Sequence, residues 1–256
     1  MLIESTIRQA TTWEHGPCMT RRAALRGLLA GGVSVLVVAP AILFSPFVGP
    51  DAAHADDRTP EKLPPPGVFL YTILRNGEPV GQQRLEVIGD GDKLRVISKT
   101  EVDVKFLGLS LYGFNQQLEE VRSGGRILAL NSDAEDDGTD KQLRLSLEDE
   151  LLKGSYNGKQ IKPIKAGLVT SLFWQQPAPG PGQVIDCVKG KVRDVTVSDL
   201  GAASVELPFG RVSARHFKVA GEIKRELWYD DNGLLLAGEL PGKDGSVIRG
   251  ELLQRP

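Results

Sequence analysis

The sequence predicts an all-β fold, mainly antiparallel, of the sandwich or barrel kind. Two observations carry this: about a dozen short segments of alternating hydrophobicity, and turn signals between them every ~8–12 residues. A third qualifies it. Residues 166–176 (AGLVTSLFWQQ) read as the one helix. Leu168, Leu172 and Gln175 fall on one helical face, with Val169, Phe173 and Gln176 beside it, and Pro177 stops the run. So short a helix does not bury Phe173 and Trp174 alone, and the strands on either side are expected to cover them.

In order, residues 68–74 alternate into Arg75-Asn76-Gly77, a hairpin signal, and 80–88 return to a break at Gly89-Asp90-Gly91-Asp92. Residues 93–106 form a long alternating strand. Leu107-Gly108-Leu109 marks a bend or bulge, and 110–121 continue as a strand. Ser123-Gly124-Gly125 turns into 127–131, and the acidic stretch 133–140 reads as a loop. Leu143, Leu145 and Leu147 line one face of the next strand. Residues 151–156, the Asn157-Gly158 turn and 161–164 lead to the helix. Past the 177–182 loop come 184–188, 191–199, 204–207, 211–219, 223–229, 234–240 and 247–252, with Gly233 and Gly245 in the last two turns. No repeat of fixed period and no composition break divides residues 68–256, which read as one domain.

The first 55 residues read as a leader. Arg21-Arg22 precedes an apolar run over 28–48 that ends near Ala53-His54-Ala55, and this resembles a twin-arginine export signal with an A-x-A cleavage site. Met19 stands just before the arginine pair and is a candidate start. The run is long enough to span a bilayer, so an uncleaved anchor is the alternative. Pro40, Pro46 and the A-x-A site favour cleavage, leaving no stable membrane span. The Tat export machinery is then the expected partner and the periplasm, or another exported location, the expected compartment. Residues 56–67 (DDRTPEKLPPPG) read as a Pro-rich linker.

The whole chain of 256 residues is 41% hydrophobic and 25% charged, with a net charge of −2, which is ordinary for a globular protein. The leader takes four basic residues (Arg8, Arg21, Arg22, Arg26) from 31 and three acidic ones (Glu4, Glu14, Asp51) from 33, so the remainder carries −3. That balance gives no strong footprint for nucleic acid. Cys18 leaves with the leader and Cys187 stands alone, so no intrachain disulfide is expected.

Four constellations bear on chemistry. Asp133-x-Glu135-x-Asp137-Gly138 starts like a calcium loop, but its ninth and twelfth positions are Lys141 and Arg144. A solvated loop tip is the better reading. Cys187 and His216 could pair as nucleophile and base, but Val-Ile-Asp-Cys-Val reads as a strand whose Cys is a small core residue. Glu119 and Glu120 are adjacent on a strand and point opposite ways. Glu120 shares a face with Tyr112, Phe114 and Leu118 and is expected in a structural ion pair with an arginine. Gly89–Gly91 and Ser123–Gly125 lack the lysine and helix of a phosphate loop and read as hairpin corners. No catalytic residue, metal site or cofactor is expected.

Four stretches resemble DUF6134, a family of uncharacterised exported bacterial proteins: 71–81 (YTILRNGEPVG), 170–174 (TSLFW), 184–190 (VIDCVKG) and 221–230 (GEIKRELWYD). The resemblance implies an open or half-closed β-barrel wrapped around the helix, similar to periplasmic lipoprotein carriers. It brings no catalytic residues. Such a barrel could hold an apolar or lipid-like ligand against Tyr112, Phe114, Phe173, Trp174 and Trp228. The expected function is therefore an exported cell-envelope protein binding such a ligand. A structural or interaction module with a filled core is the alternative, and a hydrolase comes third.

Overall fold

The computed structural model describes residues 62–106, 109–242 and 244–254. The leader with Arg21, Arg22, Ala53 and Ala55, the first half of the linker and the bend at residues 107–108 lie outside them.

Among the described residues sixteen strands form one sheet: β1 (Gly67–Arg75), β2 (Glu78–Asp90), β3 (Lys93–Phe106), β4 (Leu109–Ser123), β5 (Arg126–Asp136), β6 (Thr139–Glu148), β7 (Leu151–Tyr156), β8 (Lys159–Gln160), β9 (Ile164–Lys165), β10 (Val169–Thr170), β11 (Gly180–Asp186), β12 (Lys191–Leu207), β13 (Gly210–Gly221), β14 (Arg225–Tyr229), β15 (Leu235–Pro241) and β16 (Val247–Gln254). Their order is β10-β11-β12-β13-β14-β15-β16-β1-β2-β3-β4-β5-β6-β7-β8, with β9 also on β7. Every ladder among the described residues is antiparallel except the two-residue pairing of β10 with β11.

The all-β, mainly antiparallel class holds. Two parts of the expected fold do not. No helix occurs among the described residues, and the sheet does not close into a barrel, because its path ends at β10 on one side and β8 on the other.

Residues 166–176 instead run as irregular chain with one short strand, β10. The physical reason is partnership. An eleven-residue helix holding Gly167 and β-branched Val169 and Thr170 is marginal alone. The neighbouring strands offer this stretch better bonds. Ala166 C=O accepts from Ile127 N–H at 2.8 Å, and Ser171 N–H donates to Ile185 C=O at 2.8 Å. Tyr229 hydroxyl donates to Phe173 C=O at 2.8 Å and Gln175 C=O at 3.1 Å. Strands far apart in the sheet thus reach the same segment, and the sheet's inner face curls around it. Phe173 and Trp174 are both 1% exposed, so the sheet covers them as the sequence implied.

Turn chemistry sets the hairpins. Asn76-Gly77, Gly124-Gly125, Asp137-Gly138 and Asn157-Gly158 each put two successive residues at positive φ, the two-residue turn that matches strand twist. Asp137-Gly138 also corrects the acidic loop. β5 and β6 run through residues 133–140 up to that two-residue corner. Cys187 lies in the turn after β11 rather than on a strand. The second half of the linker is packed: Pro64 is buried, and β1 begins at Gly67.

Candidate functional site

The inner face carries three stacked rows of side chains, fixed by register. The middle row runs Leu227, Gly238, Gly250, Ile73, Gly81, Val102, Phe114, each the cross-strand partner of the next. One step deeper lie Tyr71, Gln83, Thr100 and Gln116, again partners in sequence. One step outward, Leu240 partners Ile248, which partners Arg75, and Val104 partners Tyr112.

Three glycines in one row leave the wall without side chains, and they do so for different reasons. A Cβ on Gly81 would meet the Glu101 carbonyl oxygen at 2.2 Å, so a neighbouring strand presses on it. On Gly238 it would meet Leu227 Cδ2 at 3.4 Å and the Glu226 carbonyl oxygen at 3.9 Å, and on Gly250 nothing within 4 Å. In front of Gly238 and Gly250 is a cavity of about 280 Å³. Its walls are mostly apolar, with Val102, Phe114, Leu227 and Ile248 among them, and Leu172 and Phe173 from the 161–178 segment also line it. That volume sits just under the ~300–1,000 Å³ usual for small-molecule sites.

Phe173 lines the cavity at φ 50°, a conformation uncommon for a bulky side chain. Its N–H donates to Thr170 C=O at 3.0 Å, and its C=O takes the Tyr229 hydroxyl. These bonds hold a backbone geometry that costs on the order of 1–3 kcal/mol.

Behind the segment is a buried charge network. Glu120 has no exposed surface, and its Oε1 lies 2.6 Å from Arg122 Nε. Its Oε2 accepts from Thr170 Oγ1 at 3.0 Å and from Trp174 Nε1 at 2.9 Å. Arg122 Nη2 donates to Leu168 C=O. The alternation expected for Glu120 and its arginine partner is therefore observed, and Glu119 points outward to Arg95 at 2.7 Å. The network ties β4 to the segment rather than facing substrate.

Of the five aromatics proposed as ligand contacts, Tyr112, Phe114 and Phe173 line the cavity. Trp174 is buried on Glu120. Trp228 stands between Leu227 and Tyr229 on β14, so it points to the opposite face. There it stacks on His216 with ring centroids 4.5 Å apart, under the Arg249 guanidinium. Neither tryptophan is part of the cavity wall.

The remaining constellations are engaged otherwise. Arg144 Nη2 binds both carboxylate oxygens of Asp133 at 2.6 and 2.7 Å. Among the described residues no group of three or more His, Cys, Asp or Glu is placed to hold a metal ion. His216 Nε2 is 2.7 Å from Glu226 Oε2. Cys187 is buried in a separate cluster with Ile185 and Leu118, and burial, then the nearby Glu120, pushes its thiol far up from the ordinary range. Cys187 is also among the residues that line the cavity.

Sequence reasoning missed Arg225. It lines the cavity two residues before Leu227 on the same face of β14, and burial pushes its guanidinium down to about 10 against the opposing pull of Asp186. Alternation with Leu227 and Tyr229 was the available signal.

A family model, "Domain of unknown function (DUF6134)", matches residues 71–252. No curated protein matches the chain. Among solved structures, a crystal structure described as a beta-barrel-like protein of domain of unknown function DUF1849 from Brucella abortus is similar in fold. The TM-score is 0.53 at 13% identity, covering 74% of this chain and 96% of that one.

Proposed function

Because the chain belongs to the DUF6134 family, whose description assigns no activity, we propose its function from the cavity: it holds an apolar or lipid-like ligand there. One observation carries this. Two cross-strand partners, Gly238 and Gly250, both lack side chains at inward positions, and a Cβ on Gly250 would stand in open space. Buried strand faces are normally filled to close packing, so an unfilled apolar hollow of this size invites an occupant.

The sequence of the leader supports a cell-envelope setting. Arg21-Arg22, the apolar run and Ala53-His54-Ala55 are the parts an exported chain needs. No helix among the described residues is long and apolar enough to cross a membrane.

The test is a cavity-filling variant read by melting and by mass spectrometry. Wild-type protein taken from its native envelope should release an apolar compound on extraction, and apolar compounds should raise its melting temperature. Gly250→Leu should keep the fold and lose both effects. Wild-type protein that carries nothing and responds to nothing would leave a filled structural module as the function. Replacing Arg21 and Arg22 by Lys should hold the precursor in the cytoplasm, and the mature chain should begin at Asp56. An intact leader on membrane-bound protein would overturn cleavage.

A further inference from the structure

We infer that the occupant of the cavity is an amphiphile with a single anionic headgroup, bound by the Arg225 guanidinium. This rests on the cavity being a ligand site and adds the chemical class of the ligand. Charge on the wall is one-sided. The lining residues include two arginines, Arg75 and Arg225, and no Asp or Glu. The charge of Arg75 is already balanced, because its Nη2 pairs with Asp244, whose Oδ1 in turn accepts from Ser246 N–H at 3.0 Å, although its buried Nε has no partner among the described residues.

Arg225 is not committed. Its hydrogen bond is to the carbonyl of its own neighbour, from Nη1 to Lys224 O at 2.8 Å. Among the described residues no carboxylate stands within 4 Å of it. Asp186 acts on it only at longer range. That carboxylate is occupied: Oδ1 accepts from Val188 N–H at 3.2 Å and Lys189 N–H at 3.0 Å, while Oδ2 takes Arg193 Nε at 3.3 Å. A guanidinium carries five N–H donors in a planar fork that matches a carboxylate or phosphate. Arg225 is half-buried at the solvent edge of the cavity, so an anion arriving there gains a charge-assisted partner without displacing an existing one.

The geometry also fits a tail. Leu227 and Tyr229 continue inward from Arg225 on the same strand face, past Gly238 and Gly250, toward Phe173. A headgroup on Arg225 thus lies outward of the hollow its tail would fill. At ~30 Å³ per water-sized unit, 280 Å³ holds roughly ten such units, the bulk of a medium-length chain. Carboxylate and phosphate heads share the chemistry, and the experiment separates them.

Full-length protein is titrated with decanoate, decyl phosphate, decanol and decyltrimethylammonium, each below its aggregation concentration, with calorimetry and melting as readouts. At least one anion should bind tenfold or more tighter than decanol, as expected for a charge-assisted bond. The better anion identifies the headgroup. The cation should bind no better than decanol. Arg225→Gln should abolish the anion preference and leave decanol binding in place, whereas Arg75→Gln should leave the preference intact. Decanol binding as tightly as both anions would overturn the headgroup assignment while sparing the cavity as a site. If none of the four binds, the ligand reading itself falls. Should Arg225→Gln fail to fold, the wild-type comparison of anion and alcohol decides alone.

Discussion

Glu120 shows how single residues are constrained here. Its carboxylate is fully buried against Arg122 and takes two further donors, so removing it strands a buried guanidinium. Glu120→Ala should cost ~3–5 kcal/mol in urea unfolding. Replacing both partners by Met should cost less than the single change, since no uncompensated charge remains. The glycines of the middle row give a paired test. Gly81→Ala drives a Cβ into the Glu101 carbonyl and should destabilise by more than ~2 kcal/mol, while Gly250→Ala should be neutral or slightly stabilising. Cys187 offers a reporter. Its raised thiol should label slowly in the native protein, and a bound amphiphile should slow labelling further because Cys187 is among the cavity-lining residues. Labelling that is fast, or indifferent to saturating decanoate, would place the thiol outside the occupied space.

Among the elements, the 161–178 segment decides most and is the least legible in the sequence. Its 3.6-residue spacing of Leu168, Leu172 and Gln175 imitates a helix. What fixes its path lies up to 56 residues away in the chain, in the Tyr229 hydroxyl bond to Phe173. No local pattern encodes such a partner. The hairpins were legible for the opposite reason, since Asn76-Gly77 and Asn157-Gly158 specify their turns within two residues. Asp149-Glu150 makes the same positive-φ corner without glycine, so nothing in its composition announced it. The site was legible in part. Alternation placed Tyr112, Phe114 and Glu120 inward, and applied to β14 it would also have turned Trp228 outward and Arg225 in. Phe173→Ala, which removes a buried ring from the segment, should lower stability by ~3–5 kcal/mol in denaturant melts. An unchanged midpoint would make the segment peripheral.

At the scale of the whole molecule, one pH response follows from the surface. The Arg215 guanidinium holds the Asp199 carboxyl below its ordinary range across the β12–β13 ladder. That contribution is complete above the unfolded Asp value of about 3.9 and is lost as pH falls through the lower folded value. Arg215→Ala should therefore weaken the protein slightly at neutral pH and leave it unchanged at strongly acid pH, with added salt shrinking the difference.

The strand order has a consequence in time. β16 lies between β15 and β1, in the middle of the sheet, and pairs Leu70 with Gln254. This strand, the last in chain order among the described residues, is thus the joint between β1–β8 and β10–β15, and until it is available the two series share no ladder. Pairing at such sequence separation closes a very long loop before any contact rewards it, which puts refolding on the millisecond-to-second scale of β proteins. On the ribosome, protease resistance should appear abruptly once β16 has emerged. Stalled chains ending before Val247 should be digested throughout, and a stable fragment ending there would show that one series folds without its joint.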